Sequence, residues 1–187
     1  MMTSLRAGAV LMALAASAGA AAAEEPELTT VDSVALDRYI GTWYEIASYP
    51  AWFQKNCTAV TADYSLRDDG LIKVVNSCRK GSIDGRLKQS TGRAKVVDAN
   101  TNAKLKVSFF GPFWGKYWII DLDPDYQWTV VGEPKRKYLW ILSRTRSIDD
   151  AVYEQILARL PDKGYDPDGL NRTIQPDLQA ESEGLDQ

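Results

Sequence analysis

The chain has 187 residues, of which 45% are hydrophobic and 25% charged, a balance typical of one globular domain rather than of a disordered protein. It contains no histidine, which excludes Ser-His-Asp and Cys-His catalysis and any histidine-ligated metal site. Two cysteines are too few for a four-cysteine zinc site or an iron–sulfur cluster, and a net charge of −3 gives no basic footprint for nucleic acid. We therefore expect no metal, no cofactor and no nucleic-acid partner.

The N-terminus is typical of an exported protein. A short start with one positive charge is followed by an uncharged, alanine-rich run. Ala21 and Ala23 in this run supply a cleavage signal, and the stretch 18–20, Ala-Gly-Ala, would also serve as one. A transmembrane helix would need about 20 strongly apolar residues, more than this run offers. We predict a cleaved signal peptide over 1–23 and an N-terminal extension over 24–35. No cysteine lies near the cleavage point to carry acyl chains, so we expect an unlipidated protein, either free in the periplasm or associated with the outer membrane.

Between Trp43 and Ser143 the hydrophobic pattern alternates with a period of two, which is typical of β-strands with one buried face. Glycine, proline, aspartate and asparagine separate the runs, as in an antiparallel sandwich or a closed barrel. Closure has the advantage that no strand edge stays unpaired. The eight predicted strands are Thr42–Tyr49, Thr58–Leu66, Leu71–Cys78, Ser90–Val97, Ala103–Phe110, Lys116–Leu122, Gln127–Val131 and Tyr138–Ser143.

One amphipathic helix follows the strands. Ser147 and Asp150 have the spacing of a capping box, and Pro161 ends the pattern. The helix should pack its apolar stripe on the outside of the sheet, and residues 165–174 should add a short extended piece. We expect residues 176–187 to form a flexible acidic tail. The stripe consists of Ile148, Val152, Ile156, Leu157 and Leu160.

The two cysteines flank a predicted hairpin whose turn, 68–70, reads Asp-Asp-Gly. If Leu66 faces Leu71, then Cys57 and Cys78 are diagonal neighbours, and a bulge or a strand end would bring them together. In an exported protein we favour a disulfide between them, which would stabilise the fold by roughly 3 kcal/mol through restriction of the unfolded chain. Two buried free thiols are the alternative, and a thiol titration separates the two cases.

Several motifs resemble those of one family. Gly41-Thr42-Trp43, at the start of the first strand, is the Gly-x-Trp signature of lipocalins. Residues 122–126 fall where the second lipocalin motif lies, and Arg144 after the last strand matches the third. The more specific stretches, which resemble the bacterial lipocalins and their relatives, the plant temperature-induced lipocalins and apolipoprotein D, are 64–70, 105–113 and 138–144.

The resemblance covers residues 36–175 and implies an all-β fold, an eight-stranded antiparallel up-and-down β-barrel with one C-terminal α-helix packed outside. The resemblance also implies that one end of the barrel is closed and the other is an open mouth. Successive loops alternate between the two ends, which assigns each loop to one of them. The resemblance makes Gly41, Trp43 and Arg144 structural residues of the closed end, with the guanidinium over the indole. Turns 68–70, 98–102 and 123–125 fall at the closed end, and loops 50–55, 81–87, 111–115 and 132–136 fall at the mouth.

Aromatic residues are concentrated on two of the predicted mouth loops, where they suit an apolar guest or a transient contact with a membrane. The alternative is that they only plug the barrel. Candidates for polar groups that meet a ligand's carboxylate or head group are Glu45, Tyr64, Arg93 and Tyr117. The sequence leaves open which of them point inward, because a β-bulge reverses the alternation. The predicted ligand-binding residues are Trp52, Phe53, Tyr64, Val107, Phe109, Phe113, Trp114, Tyr117 and Trp140.

An eight-stranded barrel is wide enough for one small ligand. The resemblance therefore implies a binding protein rather than an enzyme, a monomer or homodimer that binds, stores or transports fatty acids or lysophospholipids for membrane maintenance. A lipocalin-like enzyme, such as an isomerase or an epoxide-converting protein, is one alternative. The acidic pairs at 68–69, 123/125 and 149–150 do not favour the enzyme alternative, because they lie in predicted turns and at a helix cap, where solvation and capping account for them. An envelope-associated interaction protein, held by its aromatic mouth or by dimerisation, is the other.

Overall fold

A computed structural model describes residues 27–176 of the chain. The predicted signal peptide lies outside the described residues, as does all but the first residue of the predicted tail. Within 27–176, no helix is long and apolar enough to cross a membrane. The elements in chain order are α1 (Leu36–Tyr39), β1 (Gly41–Ser48), β2 (Cys57–Leu66), β3 (Ile72–Lys80), β4 (Leu87–Val96), β5 (Lys104–Phe110), β6 (Phe113–Leu122), β7 (Trp128–Gly132), β8 (Leu139–Ser143), α2 (Asp150–Arg159) and β9 (Asn171–Arg172), with short 3-10 helices at Trp52–Gln54, Pro161–Lys163 and Pro167–Gly169.

The first eight strands close into a barrel. Each pairs antiparallel with the next, and β1 also pairs with β8, so that the sheet meets itself and closes. The first half of β1 runs along β2, with Gly41 opposite Tyr64, and the second half runs along β8, with Ser48 opposite Trp140. The short strand β9 pairs with the end of β1. The predicted eight-stranded antiparallel barrel is confirmed.

Alternate residues of the strands form two hydrophobic cores. On β6, Ile119 belongs to a core inside the barrel, where it is grouped with Trp43, whereas its neighbour Ile120 belongs to a core between the barrel and α2. This assignment follows from the period of two, which directs successive side chains to opposite faces. Ile141 of β8 and Ile156 of α2 are fully buried in the outer core. The predicted packing of the helix on the outside of the barrel is confirmed.

The N-terminus of α2 differs from the prediction. Asp149, not Ser147, is the N-cap, and its carboxylate accepts hydrogen bonds from the backbone N–H groups of Ala151 (2.9 Å) and Val152 (3.2 Å). The predicted capping box of Ser147 and Asp150 is therefore wrong. A carboxylate at the N-cap satisfies two free N–H groups and also interacts favourably with the helix dipole.

The predicted strand boundaries differ most at the mouth. Strand β4 begins three residues earlier than predicted, and β6 begins at Phe113 rather than at Lys116. Phe113 and Trp114 therefore lie in β6 and not in a mouth loop. Gly115 hides this extension in the sequence, because a glycine interrupts the alternation of apolar side chains by which a strand is recognised.

A disulfide joins Cys57 of β2 to Cys78 of β3, with 5.5 Å between their Cα atoms. The residue directly opposite Cys57 is Lys80, so that the two cysteines are diagonal neighbours across the hairpin. The register of β2 and β3 shifts around Ala59, whose positive φ of 49° marks a β-bulge. The predicted disulfide is confirmed, and a bulge next to Cys57 accompanies it.

Candidate ligand-binding site

The closed end of the barrel is sealed by a tryptophan and an arginine. Trp43 is fully buried, and the Cζ atom of Arg144 lies 3.7 Å from the centroid of its ring. Gly41, next to them, has a φ of 98°, a conformation that favours glycine, and an added Cβ would lie 3.4 Å from the Arg144 guanidinium. The guanidinium of Arg144 also donates hydrogen bonds to the backbone carbonyls of Arg38, Tyr39, Ile40, Thr42 and Tyr126.

The segment that precedes α1 completes this seal. The described part of the predicted N-terminal extension, 27–35, packs against the barrel instead of extending away from it. The Val34 N–H donates to the Thr101 carbonyl (2.7 Å), and the Val34 side chain is buried in the inner core. Leu28 is buried in the outer core. The closed end is therefore covered by backbone hydrogen bonds and apolar side chains together.

Three tyrosines meet inside the closed half of the barrel. The hydroxyl of Tyr117 lies 2.8 Å from that of Tyr39 and 3.1 Å from that of Tyr64. Burial raises the pKa of Tyr64 to about 12, and it raises the pKa of Tyr39 and of Tyr117 as well, because a phenolate there would lose its hydration. The three rings and Val107 help to line a void of about 10 Å³, which is about the space of one water molecule.

A much larger cavity opens at the mouth. It has a volume of about 490 Å³ and lies between the β1–β2 loop and the C-terminal segment that contains β9. This volume is within the range of about 300–1,000 Å³ that is usual for small-molecule sites. Its lining includes Glu45 and Ser48 of β1, Trp52 and Gln54 of the loop, and residues 171–174.

A buried carboxylate forms part of the cavity wall. Glu45 is 3% exposed, and its oxygens accept hydrogen bonds from Gln54 Nε2 (2.6 and 2.7 Å), Ser48 Oγ (3.0 Å) and Thr173 Oγ1 (2.5 Å). Burial raises the pKa of this carboxyl, and the hydrogen bonds oppose the shift without cancelling it. Glu45 thereby links β1, the mouth loop and the C-terminal segment at one point.

The C-terminal segment fills the gap where β1 and β2 separate. The Thr173 N–H donates to the Ile46 carbonyl (2.9 Å), and the Ala59 N–H donates to the Ile174 carbonyl (2.7 Å). The Gln175 amide donates to one carbonyl of each of the two strands. The sequence predicts only a short extended piece here, because a two-residue strand has no periodic pattern that would show where it packs.

The residues predicted to bind the ligand do not line one cavity. Trp52 lines the mouth cavity, whereas Tyr64, Val107 and Tyr117 line the small void below it. Phe109 packs against the inner core. The predicted polar residues Tyr64 and Tyr117 thus hydrogen-bond within the tyrosine cluster, away from the mouth cavity.

Four aromatic rings form a row along the mouth. Phe53 packs edge-on against Trp52, with ring centroids 5.6 Å apart, and in a tilted arrangement against Tyr138, with centroids 5.7 Å apart. Tyr138 in turn stacks on Trp140 at 5.8 Å. Phe53 and Trp140 are therefore connected to Trp52, in the cavity wall, through neighbouring rings. Tyr138, which links them, was not among the predicted site residues.

The last two predicted residues lie at the β5–β6 hairpin. Phe113 is 76% exposed at its tip. Trp114, by the alternation of β6, shares the outer face of the barrel with Trp118, and the cations of Arg93 and Lys95 lie 5.4 and 5.0 Å from its ring centroid. The expectation that Arg93 supplies a polar group to the cavity is therefore wrong, since its guanidinium contacts a ring on the outer face.

The acidic pairs considered for catalysis are engaged in local structure at the closed end. Asp69 accepts a hydrogen bond from the Leu71 N–H and pairs with Arg67 at 2.7 Å. Asp123 accepts from the Gln127 N–H (3.0 Å), and the third pair provides the cap of α2. Turn formation and capping account for all three pairs, as the sequence suggested.

Comparison with known proteins agrees with this architecture. Residues 34–175 match the Lipocalin-like domain family. The outer membrane lipoprotein Blc of Escherichia coli K12 is 47% identical over 139 residues, covering 74% of this chain and 78% of Blc, and temperature-induced lipocalin-1 of Arabidopsis thaliana is 39% identical over 171 residues, covering 85% and 89%. Insecticyanin of the tobacco hornworm Manduca sexta shares the fold, with a TM-score of 0.66 at 20% identity over 81% of this chain and 86% of insecticyanin. The chain belongs to the lipocalin family, whose barrels bind small hydrophobic ligands.

Proposed function

We propose that the protein binds fatty acids or lysophospholipids at the mouth of its barrel and stores or carries them for membrane maintenance. The observation that carries the proposal is the cavity of about 490 Å³ at the mouth of a lipocalin barrel. Its wall combines the rings of Tyr49 and Trp52 with the polar groups of Glu45, Gln54 and Thr173. Such a wall suits an amphiphile, which has an apolar chain and a polar head group.

The expected affinity follows from the length of the acyl chain. About 14 buried methylenes at about 0.8 kcal/mol each would contribute roughly 11 kcal/mol before costs. Association and ordering of the chain cost about 4–15 kcal/mol. At the lower cost, the acyl chain alone leaves about 7 kcal/mol, which corresponds to a dissociation constant of about 10 μM. We therefore expect micromolar dissociation constants, with the polar side chains of the cavity wall available to contact the head group.

The composition and the hydrogen bonds of the acidic residues favour a carrier over an enzyme. The chain has no histidine, and the three acidic pairs are committed to turns and a helix cap. Relatives named outer membrane lipoproteins support export to the cell envelope, and we propose a periplasmic location for this chain. The exposed aromatic residues of the mouth support a transient contact with a membrane, in which the lipid enters or leaves the barrel.

Two measurements test the proposal. The first is native mass spectrometry of protein purified without detergent, and the second is displacement of a fluorescent fatty acid by palmitate and by a lysophospholipid. We expect a co-purified lipid mass and displacement by both competitors. Ala51→Trp, in the cavity wall, should weaken binding at least about tenfold by filling the cavity. Ala99→Trp, on an exposed closed-end turn, is the matched control and should bind like the wild type. Equal affinities for the two variants, or no displacement by any lipid, would contradict the proposal.

A further inference from the structure

Exposed apolar side chains are concentrated at one end of the barrel. Among the described residues, nine large hydrophobic side chains are exposed, and only Leu66 and Val97 of these lie at the closed end. Ile174 lies beside the mouth cavity. The remaining six lie on the first three mouth loops or on the strand ends next to them, and we call them the apolar mouth face. They are Trp52, Phe53, Ile83, Leu87, Phe110 and Phe113.

Charge is segregated along the same axis. The mouth segments carry eight basic and two acidic residues, and the closed-end segments carry nine acidic and four basic residues. The barrel therefore has a positive mouth and a negative base, although the net charge of the chain is only −3. The mouth segments counted are 50–56, 79–88, 110–113 and 133–138, and the closed-end segments are 32–40, 67–70, 97–103, 123–127 and 144–150.

The acidic residues of the mouth do little to offset its positive charge. Glu133 is 9% exposed, and its carboxylate accepts hydrogen bonds from the backbone N–H groups of Lys135 (2.9 Å) and Lys137 (2.6 Å), so that it is directed into its own loop. Asp84 is then the single exposed carboxylate of the four mouth segments. The exposed basic residues, which we call the basic mouth ring, are Lys55, Arg79, Arg86, Lys88, Lys135 and Lys137.

We propose that the mouth docks on anionic lipid bilayers, with the apolar mouth face inserted among the head groups and the basic mouth ring against their negative charges. Basic residues near an anionic surface each raise membrane affinity about fivefold, and an inserted aromatic ring adds hydrophobic burial. Charge complementarity selects this occupant over a second copy of the chain, because a symmetric mouth-to-mouth dimer would bring two positive surfaces together.

This inference rests on the lipid-carrier function proposed above and specifies the surface that the carrier meets. The cavity opens between the β1–β2 loop and the C-terminal segment, on the same end as the apolar mouth face. A docked barrel therefore presents its cavity to the bilayer, so that an amphiphile passes between the two without crossing water. The negative closed end faces away, since an anionic surface repels it.

Vesicle flotation tests the docking surface, with vesicles of phosphatidylcholine alone and of phosphatidylcholine mixed with phosphatidylglycerol. The wild type should bind the mixed vesicles more tightly, and added salt should reduce the difference because it screens exposed charges. Arg86→Gln/Lys88→Gln should lower the affinity for mixed vesicles about 25-fold, at about fivefold for each charge, with little effect on neutral vesicles. Phe110→Ser/Phe113→Ser should weaken binding to both kinds at least about tenfold.

The closed end supplies matched controls. Lys73→Gln/Lys104→Gln removes two charges near that end, and Leu66→Ser/Val97→Ser removes its two exposed apolar side chains. Both should bind mixed vesicles like the wild type, and circular dichroism melting should show that all variants are folded. Equal binding to the two kinds of vesicle, or equal losses in the closed-end controls, would overturn the proposal.

Two further readouts distinguish this inference from the function on which it rests. Fatty-acid displacement without vesicles measures the carrier function alone. If the wild type binds fatty acid but floats with neither kind of vesicle, docking is wrong and the carrier function stands. If size exclusion shows a dimer that Phe110→Ser/Phe113→Ser converts to a monomer while vesicles bind neither form, the mouth is a self-association surface and the docking proposal is overturned.

Discussion

The two ends of the barrel use the same types of residue in opposite ways. At the closed end, Trp43 is fully buried and lies under the Arg144 guanidinium, whose donors are spent on five backbone carbonyls. At the mouth, Trp52 is 79% exposed, and the six residues of the basic mouth ring are exposed as well. The closed end therefore holds the barrel together, whereas the mouth keeps its aromatic and cationic groups available for other molecules.

Carboxylates show the same contrast. Asp69 and Asp149 at the closed end are exposed and accept hydrogen bonds from nearby backbone N–H groups, which is a favourable arrangement for a charge. Glu45 near the mouth is buried among side-chain donors, where the charged form is disfavoured. Glu45 therefore forms part of the cavity wall at a cost in stability, because its charged form is disfavoured there.

Removal of the closed-end indole should have the largest effect on stability. Trp43→Ala deletes a fully buried ring and leaves a cavity, so we expect the free energy of unfolding to fall by about 3–5 kcal/mol. Urea denaturation measures this loss. Under conditions in which the variant is folded, its affinity for fatty acid should stay close to that of the wild type. A loss of binding in a well-folded Trp43→Ala protein would break the division between the two ends.

Removal of the disulfide should come next. Cys57→Ser/Cys78→Ser releases a constraint over a sequence separation of 21 residues, and we expect a loss of about 3 kcal/mol on the chain-entropy model. The measurement is urea denaturation with and without a reductant. Reductant should destabilise the wild type and leave the double variant unchanged, and a similar response in both proteins would argue against a stabilising bridge.

Substitution of Arg144 should have a smaller effect than either. Arg144→Ala leaves carbonyls of the closed end without their donor, and we expect a loss of about 2 kcal/mol. Arg144→Lys keeps the charge but not the planar set of donors, so it should recover less than half of the loss in thermal or urea denaturation. Full recovery by lysine would mean that charge alone, and not the hydrogen-bond geometry, matters at this position.

The pH dependence of stability should report on Glu45. Because burial raises its pKa in the folded protein, its stabilising contribution is fully present below the ordinary value of 4.5 and is lost as the pH rises through the folded pKa. Glu45→Gln is neutral at every pH and should flatten this part of the profile. Free energies of unfolding of the two proteins between mildly acidic and neutral pH measure the difference, and parallel profiles would contradict the raised pKa.

Substitutions at the mouth should affect stability least and binding most. Trp52→Ser removes an exposed ring, so the free energy of unfolding should change by no more than about 0.5 kcal/mol. The affinity for fatty acid should nevertheless fall about tenfold, since Trp52 lines the cavity. Displacement titrations measure this effect, with Leu66→Ser as an exposed control at the closed end. Equal affinities of Trp52→Ser and Leu66→Ser would contradict the assignment of the mouth cavity as the binding site.

Much of the barrel could be predicted because its determinants are local. The period of two identifies all eight wall strands, and the hairpin register brings Cys57 and Cys78 close enough for a disulfide. The cap of α2 shows the limit of such reasoning. Ser147 and Asp149 are both good N-cap residues, and the choice between them depends on where the chain leaves β8.

The site was harder to predict because its determinants are not local. Glu45 receives a hydrogen bond from Thr173, which lies 128 residues further along the chain on a segment with no periodic pattern. The location of the Trp114 ring depends on a strand boundary, because the start of β6 decides whether the ring belongs to a mouth loop or to the outer face of the barrel. Such features follow from tertiary packing, which one sequence does not reveal.

The most direct test of the mouth cavity is photocrosslinking with a fatty acid that carries a diazirine on its chain. The native protein is irradiated with this probe bound, and the adducts are mapped by mass spectrometry. We expect adducts on Tyr49, Trp52 and residues 171–174, which line the cavity, and we expect unlabelled palmitate to suppress them. Adducts concentrated on the outer face around Trp114 and Trp118, unaffected by palmitate, would contradict the claim that the mouth cavity holds the lipid.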